Sequence, residues 1–313
     1  GVKRAVDLAR AAAQEKKHCV MLGHIIHNSH VVNELASLGV RKVDSVEEVR
    51  EGETVIIRSH GEKKETFDRL AELGADCLNA TCPNVLRIQK LVEKTDAEGR
   101  IPVIIGEKHH PEVLGVASFS KKSVILENVE DAEKWLSEDV SRRALPLTIA
   151  AQTTCIRSLW ESSINFLKKE CTNAEIFDTI CNATQKRQSE AAELAAKVDV
   201  MVVVGDRKSA NTQHLTEICS KRCPKVYQIE GVEELEPNFL KGCSVAGLTA
   251  GASTPASIIK EVNKTMSEEI KTMEAMEESF EELLEKSFKT LNTGDKVTGI
   301  VTAIGPTEIQ VDL

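Results

Sequence analysis

A chain of 313 residues, 41% hydrophobic and 28% charged, is long enough for two or more globular units; it has no apolar run of membrane-spanning length and no signal-like start, so a cytoplasmic protein is expected. A net charge of −9 with only 3% aromatic residues excludes a chain-wide nucleic-acid surface of basic and stacking groups, so any phosphate must be held locally. Nine cysteines scattered through a chain without secretory features argue for metal or redox chemistry over a disulfide framework.

In chain order, apolar β-branched runs alternate with helical patterns, the signature of βα units and a mainly parallel sheet. The first run, Val20-Met21-Leu22-Gly23, leads into the polar turn His27-Asn28, and the second, Val55-Ile56-Ile57, ends at Arg58-Ser59-His60-Gly61. Val103-Ile104-Ile105-Gly106 leads to His110-Pro111-Glu112, and Leu147-Thr148-Ile149-Ala150-Ala151 ends at Gln152-Thr153-Thr154. Val202-Val203-Val204-Gly205 leads to Ser209-Ala210-Asn211, and the run beginning at Val245 ends at Thr249-Ala250-Gly251-Ala252-Ser253. These pairs recur at roughly 80 to 100 residues, too long for a solenoid and suited to three tandem α/β units. In open α/β sheets, ligands sit beyond the carboxyl ends of strands, where helix N-termini offer free N–H groups to anions. The six polar ends are therefore expected to converge on one site.

Two cysteines obey the same repeat. Cys82-Pro83-Asn84-Val85-Leu86-Arg87 and Cys181-Asn182-Ala183-Thr184-Gln185-Lys186 each open a unit, with a basic residue five positions after the cysteine and a helical stretch beyond. The chain opens Gly1-Val2-Lys3-Arg4, and setting Arg4 at the same offset places a third cysteine two residues ahead of Gly1. Gly1 is not an initiator methionine and Val311-Asp312-Leu313 reads as a strand cut short, so the sequence is expected to be a piece of a longer chain. Three thiolates from three units suit one iron–sulfur cluster with an open metal position; a catalytic zinc with three ligands and water competes with it. A lone cysteine is most often a small buried hydrophobe, and Cys19, Cys77, Cys155, Cys171, Cys219, Cys223 and Cys243, which lack a counterpart in the repeat, are read that way.

His27, His60 and His110 each stand just after an apolar strand, beside a small or turn residue. With Thr153, Ser209, Asn211 and Ser253 they make a ring of donors suited to a diphosphate held without a metal. No Gly-rich P-loop is present, which argues against ordinary nucleotide binding. Glu112 adds a carboxyl at the same rim, where burial would raise its pKa enough to deliver protons near neutral pH. Beyond these units, residues 263–291 are rich in Glu and Lys, with Met266, Ile270, Met273, Phe280, Leu284 and Phe288 at rough helical spacing, which predicts a charged linker helix. Gly294 to Val301 then predicts a strand after a turn, and Glu308-Ile309-Gln310-Val311 a second.

The ordered motifs Ile26-His27-Asn28, Arg58-Ser59-His60-Gly61, Ala80-Thr81-Cys82-Pro83, His109-His110-Pro111-Glu112-Val113, Gln152-Thr153-Thr154, Thr179-Ile180-Cys181-Asn182-Ala183-Thr184, Ser209-Ala210-Asn211 and Thr249-Ala250-Gly251-Ala252-Ser253 carry a resemblance. Over about residues 1 to 262 the chain resembles the 4-hydroxy-3-methylbut-2-enyl diphosphate reductases, which catalyse the last step of the methylerythritol phosphate route to isoprenoids. The resemblance implies an α/β fold of three pseudo-threefold-related subdomains, residues 1–81, 82–178 and 179–262, in a trefoil around a central [4Fe-4S] cluster. Cys82 and Cys181 match two cluster ligands, the third being expected just ahead of Gly1. His27, His60, His110, Thr153, Ser209, Asn211 and Ser253 match the holders of the diphosphate, and Glu112 the relay of protons to the departing hydroxyl. Two electrons and two protons would then give water with isopentenyl and dimethylallyl diphosphates, the electrons arriving singly from a ferredoxin or flavodoxin. Ala210 departs from the pattern, standing where the family usually has a second serine.

The segment 292–313, after the linker helix at 263–291, resembles the opening strands of the RNA-binding OB-fold repeat of the largest small-subunit ribosomal protein. Two strands cannot close a five-stranded barrel, so an incomplete OB segment is expected. This implies RNA or ribosome contact through a complete C-terminal region, and leaves open an alternative in which RNA binding is the main role and the trefoil a vestigial scaffold.

Overall fold

The computed structural model describes residues 1–15, 18–26, 28–236, 239–287, 300–304 and 309–312. The chain divides into two compact units, Gly1–Thr265 and Met266–Leu313.

The first unit lays down three sheets in succession. The first group comprises α1 (Val2–Glu15), β1 (Cys19–Leu22), α2 (Ser29–Ser37), β2 (Arg41–Val43), β3 (Thr54–Ile57), α3 (Lys64–Glu72) and β4 (Asp76–Asn79), with strand order β2-β1-β3-β4. Next come α4 (Pro83–Ala97), β5 (Ile101–Ile105), α5 (Pro111–Ala117), β6 (Val124–Leu126), α6 (Val129–Glu138), β7 (Leu147–Ala151), α7 (Arg157–Glu170) and β8 (Ala174–Phe177), with order β6-β5-β7-β8. The third group is α8 (Asn182–Ala195), β9 (Val200–Val204), α9 (Ala210–Ser220), β10 (Lys225–Ile229) and β11 (Ala246–Ala250), with order β10-β9-β11. Every strand pair in the three sheets is parallel.

Parallel sheets covered by helices on both faces need continuous apolar strands, and the central strands supply them. Met21 and Ile56 pack on one face of the first sheet with Ala5 and Ala9 of α1 and Leu35 of α2, while Val20, Leu22, Val55 and Ile57 pack on the other with Leu70 of α3. In the second sheet Val103, Ile105 and Ile149 meet Trp160, Ile164 and Leu167 of α7, and Ile104 and Ala150 meet Ile88 and Val92 of α4. Each such fully buried aliphatic side chain contributes about 1.5–3 kcal/mol relative to exposure.

Pro83 and Pro111 stand in the first turn of α4 and α5, where a fixed φ is pre-organised for the helix and no N–H is lost. They leave Cys82 and His110 as N-caps. Cys181 caps α8 with the same extended backbone, φ −67° and ψ 128°. The linker helix expected at 263–291 starts earlier, as α10 (Ala256–Ser287), because Pro255 just ahead of it favours a helix start there. The second unit holds the part of α10 from Met266 onward with β12 (Ile300–Ile304) and β13 (Ile309–Asp312), an antiparallel pair. The predicted strand start from Gly294 to Gly299 lies outside the described residues. Among the described residues no helix is long and apolar enough to cross a membrane.

Candidate active site

The carboxyl ends of strands from all three sheets open on one cavity of about 330 Å³. Ser59 and His60 reach it after β3, His110 and Glu112 after β5, Thr153 after β7, Ser209 and Asn211 after β9, and Ser253 after β11. Cys82 and Cys181 line the same cavity, following the edge strands β4 and β8. Of the residues singled out in the sequence, nine are thus brought together; His27 lies outside the described residues.

The two cysteines are placed by equivalent bonds. The Cys82 N–H donates to Ser59 O at 2.9 Å and the Cys181 N–H to Thr153 O at 2.9 Å, each tying a helix start to the second residue beyond a central strand. Neither thiol bonds to the first-turn N–H groups of its own helix. Both are free and partly accessible. Asn84 Nδ2 donates to Cys181 Sγ at 3.3 Å, and a Cβ on Gly1 would lie 2.7 Å from Cys82 Sγ. The other seven cysteines stand away from this cavity, and Cys155 and Cys219 are buried thiols that burial pushes up to about 12 and about 11.

Glu112 is the buried acid of the site, 2% exposed. Its Oε1 accepts from Thr153 N at 2.6 Å and its Oε2 from the Thr153 hydroxyl at 2.8 Å. Burial pushes its pKa up to about 7, against the opposing effect of the two Thr153 bonds, which favour the ionised form. The neighbouring Glu107 adds a smaller push in the same direction. His110, the N-cap of α5, accepts at Nδ1 from Glu112 N at 3.1 Å, which puts the proton of its neutral ring on Nε2. His60 stacks edge-on against it, ring centroids 5.6 Å apart. The turn that delivers His60 depends on Gly61, whose φ of 81° lies in the left-handed region and whose missing Cβ would meet Gln89 Nε2 at 2.8 Å.

Polar atoms without partners mark where a ligand belongs. Asn211, 6% exposed, has both side-chain polar atoms buried and unbonded, and Ser253 Oγ is in the same state. Buried polar groups are ordinarily bonded, so the Asn211 amide in the first turn of α9 and the Ser253 hydroxyl after β11 suit a bound anion. For a cluster, the donor chemistry is a pair of soft sulfur ligands at helix N-termini with an amide N–H already turned toward one sulfur, which fits iron–sulfur ligation. Among the described residues no group of three or more His, Cys, Asp or Glu side chains is gathered to hold a metal.

Sequence reasoning missed Asn84, Lys3 and Arg187 as lining residues. Asn84 was visible as the second residue after Cys82, yet its counterpart after Cys181 is Ala183, so no repeated polar residue drew attention to it. It also missed a pair outside the cavity: His214 of α9 donates through Nδ1 to Thr154 O at 2.7 Å and pairs through Nε2 with Glu107 at 3.2 Å.

The sequence profile described as LytB protein matches residues 1–267. A protein from Caldanaerobacter subterraneus subsp. tengcongensis, 4-hydroxy-3-methylbut-2-enyl diphosphate reductase, is 40% identical over 284 residues, covering 89% of this chain and 95% of its own. A relative of the same name from Clostridium acetobutylicum is 36% identical over 321 residues; the match takes in 100% of this chain and 49% of the relative. Among solved structures, (E)-4-hydroxy-3-methyl-but-2-enyl diphosphate reductase, the terminal enzyme of the non-mevalonate pathway, superposes with a TM-score of 0.62 at 37% identity, covering 85% of this chain and 94% of that one. The Plasmodium falciparum E-1-hydroxy-2-methyl-but-2-enyl-4-diphosphate reductase gives 0.79 at 25% identity, covering 84% and 83%.

Proposed function

The chain belongs to the LytB family, and on that premise we propose how its cavity serves an iron–sulfur oxidoreductase that converts (E)-4-hydroxy-3-methylbut-2-enyl diphosphate to isopentenyl and dimethylallyl diphosphates. The observation that carries the assignment of roles is the convergence, in one cavity, of two thiols, a buried acid and unbonded hydrogen-bond donors from the ends of three parallel sheets.

Cys82 and Cys181 would supply two of the thiolate ligands of a [4Fe-4S] cluster. The third thiolate comes from a residue ahead of Gly1, a reading supported by the place of Gly1 in the cavity beside Cys82 Sγ. When bound, the cluster would pass on, one at a time, the two electrons delivered by an external carrier and would offer a Lewis-acidic iron to the substrate hydroxyl. The diphosphate is held by His60, His110, Thr153, Ser209, Asn211 and Ser253, with His27 as a further donor. The unbonded Asn211 and Ser253 support this placement, since an anion there completes their bonding. His110 donates through Nε2, because Nδ1 already accepts.

Glu112 holds the proton that leaves with the hydroxyl. The reaction consumes two electrons and two protons, breaks the C–O bond and releases water. A carboxyl with its pKa near 7 is matched to giving up a proton at neutral pH, and Thr153 stabilises the carboxylate left behind. Electrons arrive singly from a ferredoxin or flavodoxin. Exposed Arg87, Lys90 and Lys186 on α4 and α8, the helices that start at Cys82 and Cys181, give an acidic carrier a complementary face.

Residues 292–313 open an RNA-binding OB segment. Supporting this are the antiparallel pair β12 and β13 and the Clostridium acetobutylicum relative, about twice as long as this chain, whose match includes this segment. The enzymatic reading is tested by extending the chain with a cysteine two residues ahead of Gly1, purifying it without oxygen and supplying the allylic diphosphate with reduced viologen. Conversion to both products is expected, and a brown but inactive protein would refute the substrate assignment.

A further inference from the structure

The second residue after each repeated cysteine occupies an equivalent place. Counting from the proposed upstream cysteine, Cys82 and Cys181, those residues are Gly1, Asn84 and Ala183, and all three line the cavity. Two of them lie toward the next sulfur in the cycle: Gly1 against Cys82 Sγ, and Asn84 against Cys181 Sγ. By the same rotation Ala183 is the position expected to face the upstream thiolate. Of the three positions only Asn84 carries a side-chain hydrogen-bond donor, and its Nδ2 is 3.3 Å from Cys181 Sγ, within N–H···S range. The repeat is thus broken in one atom.

We propose that Asn84 is a positioning residue that sets the reduction potential of the bound cluster by donating a hydrogen bond to the Cys181 thiolate. This rests on the reading that Cys82 and Cys181 are cluster ligands. A donor to a ligating sulfur withdraws electron density from the Fe–S bond and stabilises the more negative, reduced cluster, which raises the potential. Geometry favours an electronic role. Asn84 sits in the first turn of α4, whose start is fixed by Pro83 and by the Cys82 N–H bond to Ser59, so the amide is held on a rigid element. The bond also crosses from α4 to the start of α8, tying the second group of elements to the third at the sulfur itself. Cys181 thereby becomes the sulfur with the weakest donation, an asymmetry that the repeat alone would not produce.

The experiment uses the chain extended to the upstream cysteine and loaded anaerobically, comparing Asn84→Leu and Ala183→Asn with the parent. Iron and sulfide content is measured first, then the midpoint potential by electron paramagnetic resonance at poised potentials. Asn84→Leu, similar in size but without a donor, is expected to move the potential to a more negative value at unchanged iron content. Ala183→Asn adds a donor at the equivalent position and is expected to move it the other way. Unchanged potentials in both variants at full iron content would overturn the proposal. If Asn84→Leu fails to load, an unmoved potential in Ala183→Asn overturns it and a positive shift upholds it. A parent that binds no cluster would instead refute the ligand assignment on which the proposal rests.

Discussion

At the scale of single residues, Glu112 illustrates how one placement serves chemistry at the expense of stability. Its pKa rises from the ordinary 4.5 to about 7, mainly through burial. The folded state therefore binds a proton more tightly than the unfolded chain, and the stability this gives is fully present below about pH 4.5 and lost as pH rises through about 7. The loss amounts to roughly 3 kcal/mol. Replacing Glu112 with Gln fixes the neutral form, so the variant is expected to unfold at higher denaturant than the parent at pH 8 and at nearly the same denaturant at pH 4. Its turnover is expected to fall by about 10²- to 10⁴-fold, the usual contribution of a positioned proton donor. In the parent, turnover should decline as pH rises past about 7, because the donating form is the protonated one; a pH–rate profile checks this. Ala210 offers a gain. It is buried and lines the cavity beside Ser209 and Asn211, and a hydroxyl there would add one hydrogen bond to the substrate anion, about 1 kcal/mol. Ala210→Ser is expected to lower KM for the diphosphate about 5-fold, read from initial rates.

At the scale of elements, α9 is tied to the turn after β5 by His214 and Glu107. Burial lowers the His214 pKa, but the bonds to Glu107 and to Thr154 O outweigh it and hold the imidazole above its ordinary 6.5. The same bond from His214 holds the Glu107 carboxyl below its ordinary 4.5. The His214 share of stability is complete below pH 6.5 and is lost as pH rises through its raised value; the Glu107 share is complete above pH 4.5 and is lost as pH falls through its lowered value. The link is strongest between those limits. His214→Ala should therefore lower the melting temperature more at pH 6 than at pH 9, and equal losses would contradict the ion pair.

Elements also show what was legible in advance. Five of the six apolar runs read from the sequence are the central strands β1, β3, β5, β7 and β9, since a strand covered on both faces leaves no alternation to hide it: β1, β3, β7 and β9 are buried at every residue, and the sixth run is β11 at the edge of its sheet. The other edge strands, β2, β4, β6, β8 and β10, were not singled out. Asp76–Asn79 and Ala174–Phe177 are short, half-exposed and mixed in polarity, and only pairing with β3 and β7 makes them strands. The convergence of nine site residues was visible because βα loops gather at one sheet end. His214 and Asn84 were not, because their partners are 60 and 97 residues away in the chain and neither sits in a repeated motif. The early start of α10 followed from Pro255, a local signal outweighed in reading by the charged run beyond it.

At the scale of the molecule, an acidic electron carrier would be repelled by the net charge of −9, and the exposed basic residues on α4 and α8 would offer it local attraction. Turnover driven by reduced ferredoxin is expected to fall as salt is raised from low to physiological strength, while viologen-driven turnover changes little; parallel salt series with the two donors check this. The account as a whole turns on the ligation of the cluster by Cys82 and Cys181, in a cavity built by three repeats of one α/β plan. The most direct measurement is the iron and acid-labile sulfide content of the anaerobically purified chain carrying the upstream cysteine, alone and with Cys82→Ser or Cys181→Ser. The account predicts a full cluster in the first and its loss or collapse in each serine variant. Full iron and sulfide in either variant, or zinc in place of iron in the parent, would contradict it.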